Sequence, residues 1–241
     1  MLEKTRAITL HGLKYGDTGL VVHLYTEAHG RQSYFVKGAF SKKSQIKSNL
    51  FFPLSLLELE VYHKPSSQLN KIKEAVLTPQ LLTIHSNPYK NAIAIFISEV
   101  LYKVLREEAA NDSMFNFLFN SVCMLDLHHD SPSNFHLVFM CLLAKQLGFF
   151  PTNNYSSVNK FFDLHEGFFV SQHPSHRQCM GAGMSEIFSE LLGTNYENSA
   201  HLPIDRMMRA SMLDAIATYF YLHMHGIGQF KSLQVLHDVF A

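Results

Sequence analysis

The sequence predicts an α+β protein of more than one domain, with an OB-type β-barrel at the N-terminal end and an all-α helical domain behind it that carries a small hairpin and loop insertion. Three observations carry that reading. Residues 1–79 alternate apolar and polar positions as strands do, a helical spacing of apolar residues takes over after Thr78-Pro79, and the charge is divided unequally between the two parts. A chain of 241 residues suits two modest domains, here 1–79 and 80–241, with 149–183 as an irregular insertion in the second.

Five stretches near the N-terminus alternate with β-branched and aromatic residues: Thr5 to Leu13, Gly19 to Thr26, Gln32 to Val36, Leu54 to Tyr62 and Lys71 to Leu77. Turn signals separate them, at Lys14-Tyr15-Gly16-Asp17, Glu27-Ala28-His29-Gly30, the long Gly38 to Ser48 loop, and His63-Lys64-Pro65-Ser66-Ser67. Five antiparallel strands are too few for a sandwich and suit a Greek-key barrel of the OB type, whose faces and loops bind oligonucleotides. An SH3-like barrel would produce much the same string.

From Asn87 to Glu107 the apolar residues Ile93, Phe96, Ile97, Val100, Leu101, Val104 and Leu105 fall on one face of a helix. Further helices are predicted over Ser113 to Leu127, Ser133 to Leu147, Met184 to Leu192, Ile204 to Met224 and Ser232 to Phe240. Asn87-Pro88, Asp112 or Ser113, and Ser131-Pro132-Ser133 are start signals; Gly148 and Gly226 are stops. Between Phe149 and Gly183 the pattern breaks into a Pro, Asn and Ser rich stretch with one alternating piece, Asn159 to Val170, that reads as a hairpin.

Composition narrows the class of function. The first residues carry Glu3, Lys4 and Arg6 without an apolar run behind them, unlike a signal or transit peptide. Apolar stretches such as Ala92 to Ile97 fall far short of the roughly 20 residues of a membrane span, so a cytoplasmic protein that does not enter the membrane is expected. Cys123, Cys141 and Cys179 are odd in number and widely spaced, which reads as free thiols rather than a disulfide framework. The net charge is zero, yet residues 1–79 hold eleven basic and six acidic side chains, and the remainder nine basic and fourteen acidic. A basic part of a chain suits a polyanionic partner, although both parts could equally be solvated surfaces.

The sharpest local feature runs from Tyr34 to Lys47. A strand delivers Lys37 and Gly38 to a loop in which Lys42, Lys43 and Lys47 follow, and Arg31 stands just ahead of the strand. Arg31 and the four lysines, with Gly38 as a small residue that keeps the loop close to what it touches, are the candidate nucleic-acid-binding set, because phosphates need cations on an accessible surface. Tyr34, Phe40, Phe51, Phe52 and Tyr62 are available to stack on bases, or to fill the barrel. The lysines could also simply solubilise a long loop.

Signs of catalysis are weak. His173-Pro174-Ser175-His176-Arg177-Gln178-Cys179 offers three metal ligands, with His165 or Asp163 as a fourth, but no paired C-x-x-C accompanies them. His223 and His225 lie two apart in a helical pattern and point in different directions, and His128-His129 precedes a turn. No nucleophile elbow, phosphate-binding loop, dinucleotide fingerprint or H-E-x-x-H motif is present. The chain is therefore read as a non-enzyme without a cofactor.

Several segments together resemble a known family. Arg6-Ala7-Ile8-Thr9-Leu10 with Leu13-Lys14-Tyr15-Gly16-Asp17-Thr18, then Leu24-Tyr25-Thr26 with His29-Gly30, and Val36-Lys37-Gly38, are similar to the N-terminal signature of bacterial RecO, the recombination mediators of gap repair. Pro53-Leu54-Ser55-Leu56-Leu57-Glu58, Tyr221-Leu222-His223 with His225, and Lys231-Ser232-Leu233 continue the match in order along nearly the whole chain.

The resemblance implies an OB domain, a helical domain and, in many members, a zinc finger built from two cysteine pairs after a Leu-Gly-x-x-Pro segment. Leu147-Gly148-Phe149-Phe150-Pro151 is present, but Asn153 to Ser157 and His173 to His176 stand where the cysteines should fall, so the finger is expected to be degenerate and free of metal. It also implies a protein of DNA repair and recombination that binds single- and double-stranded DNA, anneals strands and helps place RecA on DNA. RecR and the tail of single-stranded DNA-binding protein are its implied partners, with RecA reached indirectly. Two other readings stand beside it: a protein-interaction scaffold that does not bind DNA itself, and a metalloenzyme centred on His165, His173, His176 and Cys179.

Overall fold

The computed structural model describes residues 2–64, 67–127 and 132–240. They form two compact units, residues 1–127 and 128–241. The first holds β1 (Leu2–Tyr15), β2 (Gly19–Thr26), β3 (Gly30–Val36), β4 (Leu56–Tyr62), β5 (Asn70–Leu77), α1 (Pro88–Val104) and α2 (Asp112–Leu127). The predicted change from strands to helices falls between β5 and α1. The division into compact units falls later, because periodicity reports local structure whereas compactness follows packing.

The strands close into a barrel in the order β1-β2-β3-β5-β4. Its pairs are antiparallel except β3 and β5, which run parallel with Tyr34 opposite Asn70 and Phe35 opposite Lys71. That order is the OB arrangement. β1 is longer than its alternating segment because it serves two neighbours, pairing with β4 over residues 2–8 and with β2 over residues 7–15. A register shift between Thr9 and His11 lets it bend from one to the other. β4 begins two residues later than the sequence suggests, since Leu54 takes a left-handed φ of 60° in the turn before it. Inward positions on all five strands, among them Ala7, Leu24, Tyr34, Leu59 and Val61, fill the core, and Phe51 joins them from a 3-10 turn at Ser48–Phe51.

Helices α1 and α2 belong to the barrel's unit. The Asn87 side chain accepts from the N–H groups of Tyr89 and Lys90, with Pro88 at the first helical position, as the start signal requires. Asn111, one residue ahead of the predicted signal, caps α2 by accepting from the Met114 N–H at 3.0 Å. The Ser98 hydroxyl of α1 donates to the Leu10 carbonyl of β1. The Arg6 guanidinium lies 5.1 Å from the centre of the Phe115 ring and 5.0 Å from that of Phe119 on α2. Between β5 and α1, the N–H groups of Leu82, Thr83 and Ile84 all donate to the Asp126 carboxylate near the end of α2. Buried Lys90 completes this knot by donating to Thr83 Oγ1 and to the Asp126 carbonyl.

The second unit contains α3 (Phe135–Gln146), β6 (Phe161–Asp163), β7 (Phe168–Val170), β8 (Cys179–Met180), α4 (Ala182–Leu192), α5 (Arg206–His223) and α6 (Leu233–Val239). Gly148 follows α3 with φ of 85°, the left-handed stop that favours glycine, whereas α5 already ends before Met224, whose backbone is extended, and the expected stop Gly226, with φ of 72°, lies in the turn beyond it. The predicted hairpin is β6-β7, which β8 extends to a small sheet in the order β7-β6-β8. Phe162 anchors that sheet against Phe169, Phe188 and Tyr219, with ring centres at 5.0, 4.7 and 6.0 Å. Cys123, Cys141 and Cys179 are free thiols. Among the described residues no helix is long and apolar enough to cross a membrane. His128, His129 and Ser131, and Pro65-Ser66 of the predicted turn, lie outside the described residues.

Candidate nucleic-acid interface

Strand β3 alternates strictly, with Gly30, Gln32, Tyr34 and Val36 inward and Arg31, Ser33 and Phe35 outward. It ends at Val36, and in the turn that begins with Lys37 the chain is redirected by Gly38 with φ of 68°. The loop that follows is a folded one. The Ser41 N–H donates to the Gly38 carbonyl at 2.8 Å and the Ser44 N–H to the Ser41 carbonyl at 3.1 Å, while Ala39, Ile46 and Leu50 pack on the barrel core. With its apolar residues turned in, its lysines are left in solvent: Lys37, Lys42, Lys43 and Lys47 are all exposed.

Two of those lysines meet two others that the sequence reading did not include. A groove of about 510 Å³ opens between the loop and β5, walled by Phe35, Lys37, Gly38 and Lys43 on one side and by Lys71, Ile72 and Lys73 on the other. The parallel pairing of β3 with β5 brings Lys71 there. Lys42 and Lys47 sit on the same loop but do not line the groove. Lys73 makes an ion pair with Glu60 at 3.0 Å, and that hydrogen bond raises its pKa above the ordinary lysine value. Among the described residues Lys37, Lys42, Lys43, Lys47 and Lys71 are not within ion-pair distance of any carboxylate. Exposed ammonium groups with no internal counter-charge keep mobile counterions, which a phosphate backbone can displace.

Arg31 is placed elsewhere. Its guanidinium donates to the carbonyls of Tyr102 and Leu105, each at 3.0 Å, and lies 4.4 Å from the centre of the Tyr102 ring. There it satisfies carbonyls at the C-terminal end of α1, where a cation is favoured. Of the aromatic candidates, Tyr34 and Phe51 are buried in the barrel, whereas Phe40, Phe52 and Tyr62 are exposed.

The histidine-rich segment does not fit a metal. His176 Nε2 lies 3.1 Å from an Asp163 carboxylate oxygen, and the His165 ring packs edge-on against that of His176. His173 turns to the Pro174 carbonyl and the Phe161 ring. Burial, followed by the nearby Asp163, raises the pKa of the Cys179 thiol, whose Sγ donates to the Met180 carbonyl at 3.4 Å. Among the described residues no group of three or more His, Cys, Asp or Glu side chains could hold a metal ion.

Comparison with known proteins finds relatives along the whole length of the chain. Residues 1–80 match the family described as "Recombination protein O N terminal", and residues 85–234 match "Recombination protein O C terminal". Proteins named "DNA repair protein RecO" align end to end. That of Azobacteroides pseudotrichonymphae is 39% identical over 240 residues and that of Bacteroides fragilis 39% over 241, each covering 100% of both chains. The one from Flavobacterium psychrophilum is 35% identical over 239 residues, 99% of both chains.

Proposed function

Because the chain belongs to the RecO family of DNA repair proteins, we propose that it is a DNA-binding recombination mediator of the RecF-pathway type, acting in the cytoplasm. It binds single- and double-stranded DNA, anneals complementary strands and helps load recombinase onto single strands. The single observation that carries this reading is the convergence of Lys37, Lys43, Lys71 and Lys73 on one open groove of the barrel. The mechanism needs no bond chemistry. Cations on one surface lower the repulsion between two phosphate chains held side by side, so that pairing of the bases can follow.

RecR, the acidic tail of single-stranded DNA-binding protein and, indirectly, RecA are the proposed partners. Local structure favours one seat for an acidic tail within the second unit. Arg206 and Arg209 stand over an apolar floor of Leu213, Leu236 and Phe240 in a cavity of about 260 Å³. Arg209 is held there by donating to the Asn134 side-chain oxygen at 2.9 Å and to the Ile204 carbonyl at 3.0 Å, which leaves exposed Arg206 as the cation of this cavity that can meet a carboxylate.

The test is a titration of labelled oligonucleotides across a salt series. With about four single-strand phosphates neutralised, the log–log slope is about −3, and affinity falls roughly 50-fold between about 50 and 200 mM salt. Reversing Lys37, Lys42, Lys43 and Lys47 together to glutamate removes most of the binding while the chain stays folded. A folded variant that binds as tightly as the parent ends this reading.

A further inference from the structure

Beside the groove the barrel exposes rings that its core does not use. Tyr15, the last residue of β1, is 65% exposed, and Phe40, just past the Gly38 turn, is 46% exposed. They are not scattered. The Tyr15 ring meets the Phe35 ring edge-on at 5.9 Å, and Phe35 lines the groove with Lys37 and Lys71. Lys14 places its ammonium 5.6 Å from the centre of the Phe40 ring. The Phe40 N–H donates to the Thr18 carbonyl at 3.2 Å, which fastens the β1–β2 turn to the turn after β3. Two accessible rings and the cations of the groove therefore occupy neighbouring turns at one end of the barrel.

That arrangement matches two chemistries at once. Lysines recognise phosphate, which single strands and duplexes both present. Flat apolar rings recognise the face of a base, which a duplex hides in its own stack and an unpaired strand leaves open. We infer that Tyr15 and Phe40 are base-stacking residues that make this groove a site for an unpaired nucleic-acid strand, in preference to a duplex. The inference rests on the groove's being the phosphate-binding surface proposed above.

The experiment compares Tyr15→Leu, Phe40→Leu and the double variant with the parent. The probes are a fluorescent single-stranded oligonucleotide containing 2-aminopurine and a duplex of the same length. Stacking is lost while the charge is kept, so single-strand affinity falls about 5-fold for each change and about 25-fold for both, with an unaltered salt slope. Duplex affinity stays within about 2-fold, and the parent, unlike the double variant, quenches 2-aminopurine. Tyr15→Phe and Phe40→Tyr, which keep a ring, retain parental binding. A double variant equal to the parent on single strands, or one that loses both probes in equal proportion, overturns this inference alone. A parent that binds neither probe overturns the DNA-binding reading together with it.

Discussion

Lys71 of β5 is the register partner of Phe35 of β3, and this parallel pairing, which closes the barrel, carries a cation from the fifth strand to the groove beside Lys37. If the groove takes a phosphate backbone, Lys71 contributes although it lies far from the lysine-rich loop in sequence. Lys71→Gln is expected to reduce the magnitude of the log–log salt slope by about 0.7 for a single strand, the share of one phosphate contact. Anisotropy titrations at four or five salt concentrations check it; an unchanged slope removes Lys71 from the interface.

Arg31 predicts the opposite behaviour. Its donors are committed to the Tyr102 and Leu105 carbonyls. Arg31→Ala leaves these acceptors without their charged partner and removes the stacking on Tyr102, so the chain loses about 2 kcal/mol of stability while its salt slope on DNA stays the same. Urea unfolding read beside a binding titration separates the two effects.

Asp126 gives the first unit a dependence on acid. Burial opposes its ionisation, but the N–H groups of Leu82, Thr83 and Ile84 and the Thr83 hydroxyl outweigh burial and hold its pKa below the ordinary aspartate value of 3.8. The stabilisation is therefore complete above about pH 4 and disappears as pH falls through the lowered value. Asp126→Asn is expected to cost about 2 kcal/mol at pH 7, and the gap to the parent should narrow below pH 4. Urea midpoints at pH 7 and pH 3 measure both.

His136 acts in the same direction over a different range. Burial first, then the charges of Arg209 and His237, push its pKa from 6.5 down to about 3. The folded chain keeps the ring neutral while the unfolded chain takes up a proton below about 6.5, so stability falls with decreasing pH by up to about 1.4 kcal/mol per unit. In His136→Leu the slope between pH 6 and pH 4 is expected to be smaller by nearly one proton. A slope equal to the parent's would show that the buried ring is not the group responsible.

In the second unit, the β6-β7-β8 sheet rests on packed rings. Phe162→Ala is expected to destabilise the chain by about 3–5 kcal/mol, the usual cost of deleting a fully buried phenyl ring. Dialysis against EDTA is expected to leave the thermal midpoint unchanged. A chelator-induced drop in that midpoint would point to a structural metal.

Much of the local structure was legible. Asn87-Pro88 announced α1 and Gly148 closed α3, because a cap or a left-handed stop is decided within a few residues. Leu54 was not legible, since its left-handed backbone is imposed by the turn before β4, where its N–H donates to the Thr9 carbonyl of β1, and not by its side chain. The candidate site was half legible for the same reason. The lysines after β3 are neighbours in sequence, whereas Lys71 arrives through a strand pairing across the closed barrel, and Arg31 turns away because α1 offers it carbonyls. The alternation Lys71-x-Lys73 on β5 was the available signal, but without the order of the strands it did not say which lysines they would join.

The docking of α1 and α2 on the barrel bears on how the molecule can be dissected. Gly30 sits so close under the chain leaving α1 that a Cβ there would stand 2.3 Å from the Ala109 carbonyl oxygen and 2.8 Å from that of Glu107. A fragment trimmed after residue 79 would lose this cover, together with the partners of Leu10, Arg31 and Arg6. An excised barrel module should accordingly run to residue 127, and a larger side chain introduced at Gly30 would pry the helices from the barrel without touching a single cation of the groove.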